Sequence, residues 1–251
     1  MMNSSKLILK KIIQKFGVNQ DNSLVGNFHS PHYLRHNARR LEHLASLHVP
    51  VAGLSVLEVG AGIGDHSHYY IDRGCKITIT DSRLENIRYL RALYPSCDVL
   101  FLDMENPSPL NGSPFAIVHC YGLLYHLSNP EQALEFLSRQ TSKILFLETC
   151  VSFGNDEAIN LVTENRYNPT QADSGTGCRP TRPWLYRKLQ TLFEYVYIPM
   201  TQPNHEEFPL DWNSREKHHA SFQRAVFIAS REKLKNKILV PSLIDIQIRH
   251  E

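Results

Sequence analysis

From Ser55 onward, short apolar runs of strand length alternate with longer stretches whose apolar residues recur every three or four positions. Val56, Leu57 and Val59 predict a first buried strand, Lys76 to Thr80 a second, Asp98 to Leu102 a third, Phe115 to Cys120 a fourth and Lys143 to Leu147 a fifth. Between them, Leu84, Ile87, Leu90 and Leu93 mark a helix, with Ser82 and Glu85 spaced as a capping box. Asn129 and Pro130 open another helix that carries Ala133, Leu134 and Leu137. This rhythm predicts an α/β fold, a parallel sheet doubly wound by helices. Two later runs, Glu194 to Pro199 and Ala225 to Ala229, predict final strands.

Residues 5 to 16 and 31 to 47 read as amphipathic helices, the second capped by Ser30 with Pro31 in its first turn. Leu34, Ala38, Leu41, Leu44 and Ala45 form its apolar stripe, which leaves Arg35, His36, Arg39, Arg40 and His43 on an expected solvated face. After Thr149 the alternation breaks, and residues 150–182 form an insertion of the kind that serves as a lid or binding loop or else is disordered. The tail ends in alternating Ile244, Ile246 and Ile248, which reads either as an added edge strand or as a homo-oligomer contact. The expected organisation is an N-terminal helical cap (1–50), a main domain (51–232) and a C-terminal extension (233–251).

Composition narrows the classes. With 251 residues, 42% hydrophobic, the chain is long enough to bury a substantial core. A formal net charge of +2 supplies no strong field for a polyanion, although a local basic patch stays open. The five cysteines form no CxxC pair and are expected to be reduced in a cytoplasmic protein. Lysines interrupt the apolar N-terminus, so neither a signal-peptide core nor a membrane span is expected.

The densest chemical signal is Val56-Leu-Glu-Val-Gly-Ala-Gly-Ile-Gly64. Gly60, Gly62 and Gly64 allow a tight turn and close approach by a ligand, and the helix after them would offer its N-H groups to an anion. Asp81, after the second strand, stands where an acid can accept ribose hydroxyls, and Asp103 ends the third strand at the same sheet edge.

These features, with the segment Ile117-Val-His-Cys-Tyr-Gly-Leu-Leu-Tyr-His-Leu127, resemble the class I S-adenosylmethionine-dependent methyltransferases. The resemblance implies a Rossmann-like, seven-stranded, mostly parallel sheet whose last strand is antiparallel. It implies S-adenosyl-L-methionine as cofactor, held by Glu58, Gly60, Gly62 and Gly64, with Asp81 on the ribose and Asp103 on the adenine. His119, inside the apolar fourth strand, reads as a core or cofactor-adjacent residue. A nicotinamide site would favour glycine where Asp65 stands, which makes a dehydrogenase the weaker reading.

His126 is the candidate general base, because the segment after the fourth strand borders the methyl group in this family. Tyr125 beside it, with Arg179 and Arg182 in the insertion, would bind the substrate, and a guanidinium pair there could grip an anionic group. The expected partner is a small or medium polar acceptor. The basic face of the second helix motivates an RNA acceptor as the alternative, and a cofactor-binding interaction subunit without catalysis is a further one. His205, Glu206 and Glu207 are adjacent in a loop, and His66 and His68 point to different helix faces, so no metal is expected at either.

Overall fold

The computed structural model describes residues 24–110, 112, 114–168 and 170–251; the helix expected over 5 to 16 lies outside the described residues. Helices α1 (Leu24–Phe28) and α2 (Pro31–Ser46) precede β1 (Ser55–Val59), α3 (Ser67–Ile71), β2 (Lys76–Asp81), α4 (Leu84–Leu93), β3 (Asp98–Phe101) and β4 (Phe115–Tyr121). Then come α5 (Pro130–Gln140), β5 (Thr141–Cys150), β6 (Ile159–Thr163), β7 (Thr176–Pro180), α6 (Arg182–Leu192) and β8 (Tyr195–Pro199). The short β9 (Thr201–Gln202), then β10 (Arg224–Ser230), β11 (Leu239–Val240) and β12 (Ile248–Arg249), complete the chain.

The main sheet runs β3-β2-β1-β4-β5-β10-β8-β11. β1 to β5 pair in parallel, whereas β10 lies antiparallel between β5 and β8. Seven strands therefore form the expected mostly parallel sheet with its last long strand antiparallel, and the two-residue β11 adds an eighth at the edge of β8. Strand periodicity sends Val56, Ile117 and Phe146 into one core with Leu44, Tyr70 and Leu90. Leu57, Val118 and Leu147 enter the other, with Leu137 and Leu189 of α5 and α6.

Two local expectations are corrected and two are given their detail. Ser82 does not cap α4: Arg83 occupies the cap position without a side-chain bond, and Asp81 Oδ1 accepts the Arg83 N-H at 2.8 Å instead. α2 begins as expected, with Ser30 Oγ accepting from Tyr33 N-H at 3.2 Å, but it docks largely by its polar side, joined by Leu44. His36, Asn37, Arg40 and His43 are buried, whereas Leu34 is 47% exposed. The insertion contains an antiparallel hairpin of β6 and β7, in register from Ile159 with Pro180 to Thr163 with Thr176. The tail pairs β12 with β9 but turns Gln247 inward and leaves Ile246 and Ile248 outward. Gln247 Oε1 accepts from Trp212 Nε1 at 2.7 Å and from Gln202 Nε2 at 3.0 Å, so a buried amide, not an isoleucine stripe, seats the strand.

No described helix is long and apolar enough to cross a membrane, and the five cysteines are free thiols.

Candidate active site

The glycine turn leaves β1 at the carboxyl edge of the sheet. Gly60 and Gly62 have φ of +69° and +59°, and both line a cleft of about 730 Å³ together with Asp81, Asp103 and Met104. Gly62 N-H donates to Asp81 Oδ2 at 2.8 Å, while Asn86 Nδ2 and Arg83 N-H donate to Oδ1. A carboxylate has about four acceptor sites, so Asp81 fixes the turn and still keeps one on Oδ2 for a ligand. Asp103 is half-buried at the same cleft, with Oδ1 accepting from Glu105 N-H at 2.9 Å.

Gly64 has a different role. It lines neither this cleft nor its neighbour, and a Cβ there would stand 2.6 Å from the Tyr94 ring and 2.8 Å from Leu90. Its requirement is close packing of the turn on α4, not approach by a ligand. The helix that follows starts only at Ser67 and spans five residues, so its dipole adds little.

A second cleft shares Gly60 and Gly62 and has Glu58, His66 and His119 in its wall. Glu58 is buried beside Ser67, whose hydroxyl donates to Oε2 at 2.5 Å; burial pushes its carboxyl up to about 8, against that hydrogen bond. His119 faces Tyr70 Oη at 2.9 Å through Nδ1 and His66 Nδ1 at 3.2 Å through Nε2, and burial holds it down at about 3.

Arg40 and Arg224 also line this cleft, and they belong to a chain of four charges that sequence reading did not connect. Arg40 Nη1 donates to Glu148 Oε2 at 2.9 Å, Arg224 Nη1 to Glu148 Oε1 at 3.2 Å, and Arg224 Nε to Glu207 Oε2 at 2.6 Å. All four side chains are buried, so the chain of alternating signs supplies the pairing that ions out of water require. Gly122, with φ +78°, permits it: a Cβ there would lie 2.9 Å from Arg40 Nη1. Glu148 inside an apolar strand was the legible signal, because such a carboxylate needs a cation.

Residues 56–143, which carry this turn, Asp81, Asp103 and His126, match the family model of the methyltransferase domain. This segment is similar to methyltransferase domains. A curated relative, the tRNA U34 carboxymethyltransferase of Haemophilus influenzae (strain 86-028NP), is 31% identical over 138 residues, which is 51% of this chain. The chain spans 41% of the length of that relative. Among solved structures, the N-terminal domain of EvdMO1 with SAH and D-fucose is 20% identical, with 77% of this chain and 82% of that one covered and a TM-score of 0.60. An S-adenosylmethionine-dependent methyltransferase from Mesorhizobium loti is 14% identical, with 78% and 100% covered and a TM-score of 0.56. Both structural likenesses concern the fold.

Beyond the glycine turn, the methyltransferase domain meets a third cavity, of about 840 Å³, between α2 and the β6-β7 hairpin. His126 lines both this cavity and the Asp81 cleft, and Tyr125 lines both this cavity and the Glu58 cleft. His126 Nδ1 lies 2.5 Å from Glu164 Oε2, and Arg179 Nη2 donates to Glu164 Oε1 at 3.0 Å. Burial pushes Glu164 up, but the hydrogen bonds it accepts from His126, the Ala172 N-H and Arg179 outweigh this and hold it below its ordinary value. Burial lowers His126, against the pull of Glu164. An ionised carboxylate only accepts, so Nδ1 carries the proton and Nε2 keeps its lone pair. Tyr125 is buried, its hydroxyl accepting from Arg224 Nη2 at 3.3 Å. Arg182 is elsewhere: it donates to Ile244 O at 2.8 Å and stacks 4.1 Å over Trp212. The expected guanidinium pair is not formed, because the two arginines belong to separate elements and only Arg179 lines the cavity. Glu164 was missed, since nothing local to residues 150–182 indicates that the hairpin carries it to His126.

Proposed function

We propose that this chain is an S-adenosylmethionine-dependent methyltransferase that alkylates a hydroxyl of a small or medium polar acceptor, with His126 as general base. The observation that carries this reading is the position of His126 on the wall common to the Asp81 cleft and the 840 Å³ cavity, with its Nδ1 held by Glu164. The cofactor supplies an electrophilic methyl on a sulfonium. Glu58, Gly60, Gly62 and His119 would hold its methionine part, Asp81 its ribose and Asp103 its adenine. The acceptor would lie against Tyr125 and Arg179, and Nε2 of His126 would take the hydroxyl proton as the new bond forms, a role suited to neutral imidazole. Glu164 then steadies the imidazolium.

The relative named as a tRNA enzyme raises RNA as an acceptor. The arginines of α2 speak for a smaller one: Arg35 pairs with Glu206, Arg39 with Glu42 and Arg40 with Glu148. The EvdMO1 domain, described with D-fucose, provides an example of a small polyhydroxylated molecule on this fold.

Calorimetry with S-adenosylhomocysteine tests the cofactor, and labelled methyl transfer to a panel of sugars and other hydroxyl compounds tests the acceptor. Absence of homocysteine-cofactor binding to wild-type protein sinks the reading. His126→Gln should lower kcat by about 10²-fold or more with cofactor affinity unchanged. Wild-type turnover should decline only on the acid side of the ordinary imidazole value of 6.5, because burial lowers His126. Full turnover by His126→Gln rejects the base assignment and leaves the cofactor assignment standing.

A further inference from the structure

The loop after β9 carries His205, Glu206 and Glu207 under the first half of α2. His32 and His36 lie one helical turn apart, so both imidazoles project from one side of α2 toward that loop. One coordinating atom each from His36, His205 and Glu207, all three buried, lies within 4.8 Å of the others, and the same holds for His32, His205 and Glu206. The His205 ring centroid is 5.1 Å from that of His32 and 4.8 Å from that of His36. Glu207 sits between the two helix imidazoles: its Oε1 is 3.3 Å from His32 Nε2 and its Oε2 3.7 Å from His36 Nε2.

The second observation is an unmet need. His36 and His205 are 3% and 2% exposed, and Nε2 of each lacks a hydrogen-bond partner among the described residues. Two orphaned imidazole nitrogens beside one carboxylate call for a ligand that satisfies both at once. We propose that His32, His36, His205 and Glu207 bind one divalent transition-metal ion of zinc-like ligand preference.

Three imidazoles and one carboxylate suit Zn²⁺ and its neighbours, whereas Mg²⁺ and Ca²⁺ want oxygen. Burial first of all holds His205 down at about 4 and His36 far below its ordinary value, so both present lone pairs at neutral pH. Arg224 takes Oε2 of Glu207, which leaves Oε1 for the ion, and Arg35 holds Glu206 at the surface. His205 Nδ1 accepts from Glu207 N-H over a long 3.3 Å; ion capture at Nε2 moves the ring proton to Nδ1 and opens that contact. His32, His36 and Glu207 also line the 840 Å³ cavity, so the ion would stand in its wall. The ion site does not depend on what that cavity binds.

The test uses the full chain, stripped with a chelator, titrated with Zn²⁺ by calorimetry and with Co²⁺ by visible absorption. The expected result is a single equivalent per chain, with Co²⁺ bands of a low-coordinate nitrogen and oxygen site. His205→Ala should abolish it. His32→Ala, whose side chain is 51% exposed and whose loss leaves the core intact, should weaken it by at least about tenfold. His68→Ala, an exposed histidine outside the cluster, should leave it unchanged. Failure of the wild-type chain to bind a stoichiometric ion overturns the proposal, and so does equal affinity of His32→Ala and His68→Ala.

Discussion

Glu58 shows how one side chain couples the glycine turn to stability. Its folded carboxyl titrates at about 8 and its ordinary value is 4.5, so the folded chain holds the proton more tightly than the unfolded one. The stabilisation is complete below 4.5 and is lost as pH rises through 8. The urea midpoint should therefore fall between about pH 5 and pH 8, and Glu58→Gln should flatten that decline, as read from denaturation curves across the range. Such residues are partly legible from sequence. Gly60, Gly62 and Asp81 declare themselves by spacing on one strand-turn-helix, where local geometry decides what is near. Glu164 and Arg224 do not, because their partners arrive from segments tens of residues away.

Element by element, the apolar rhythm located the strands and most helices to within a few residues, since burial on a sheet enforces a period of two and burial of a helix a period near 3.6. It failed to tell which side of α2 faces inward. The apolar stripe and the polar stripe of α2 are both regular, and only the buried Glu148 decides that Arg40 goes in. The tail forms the short strand pairing that was one of its two readings, but Gln247 meets its hydrogen bonds inside while the isoleucines stay outside. Docking of α2 by a charge has a measurable cost when it is broken. Arg40→Met should destabilise the fold by about 3 to 5 kcal/mol, because Glu148 loses one of its two cations while remaining out of water. The double change Arg40→Met with Glu148→Gln should recover part of the loss, read by chemical denaturation.

For the molecule as a whole, the reversed β10 was legible only through the family resemblance and the strand order was not read at all, because no local signal encodes which strand is inserted where. The hairpin, the helix α2 and the returning loop lie outside residues 56–143 and meet Tyr125 and His126 of that segment around one cavity. Arg40, Glu148, Arg224 and Glu207 come from α2, β5, β10 and the loop before it, and together they join those parts to the sheet. No member can change sign or neutrality alone without stranding another in the interior. Among homologues, then, these four positions should be inherited as a block: aligned sequences that lack one should lack its partner too, and lineages that dismantle the set should have rebuilt the N-terminal helix as well.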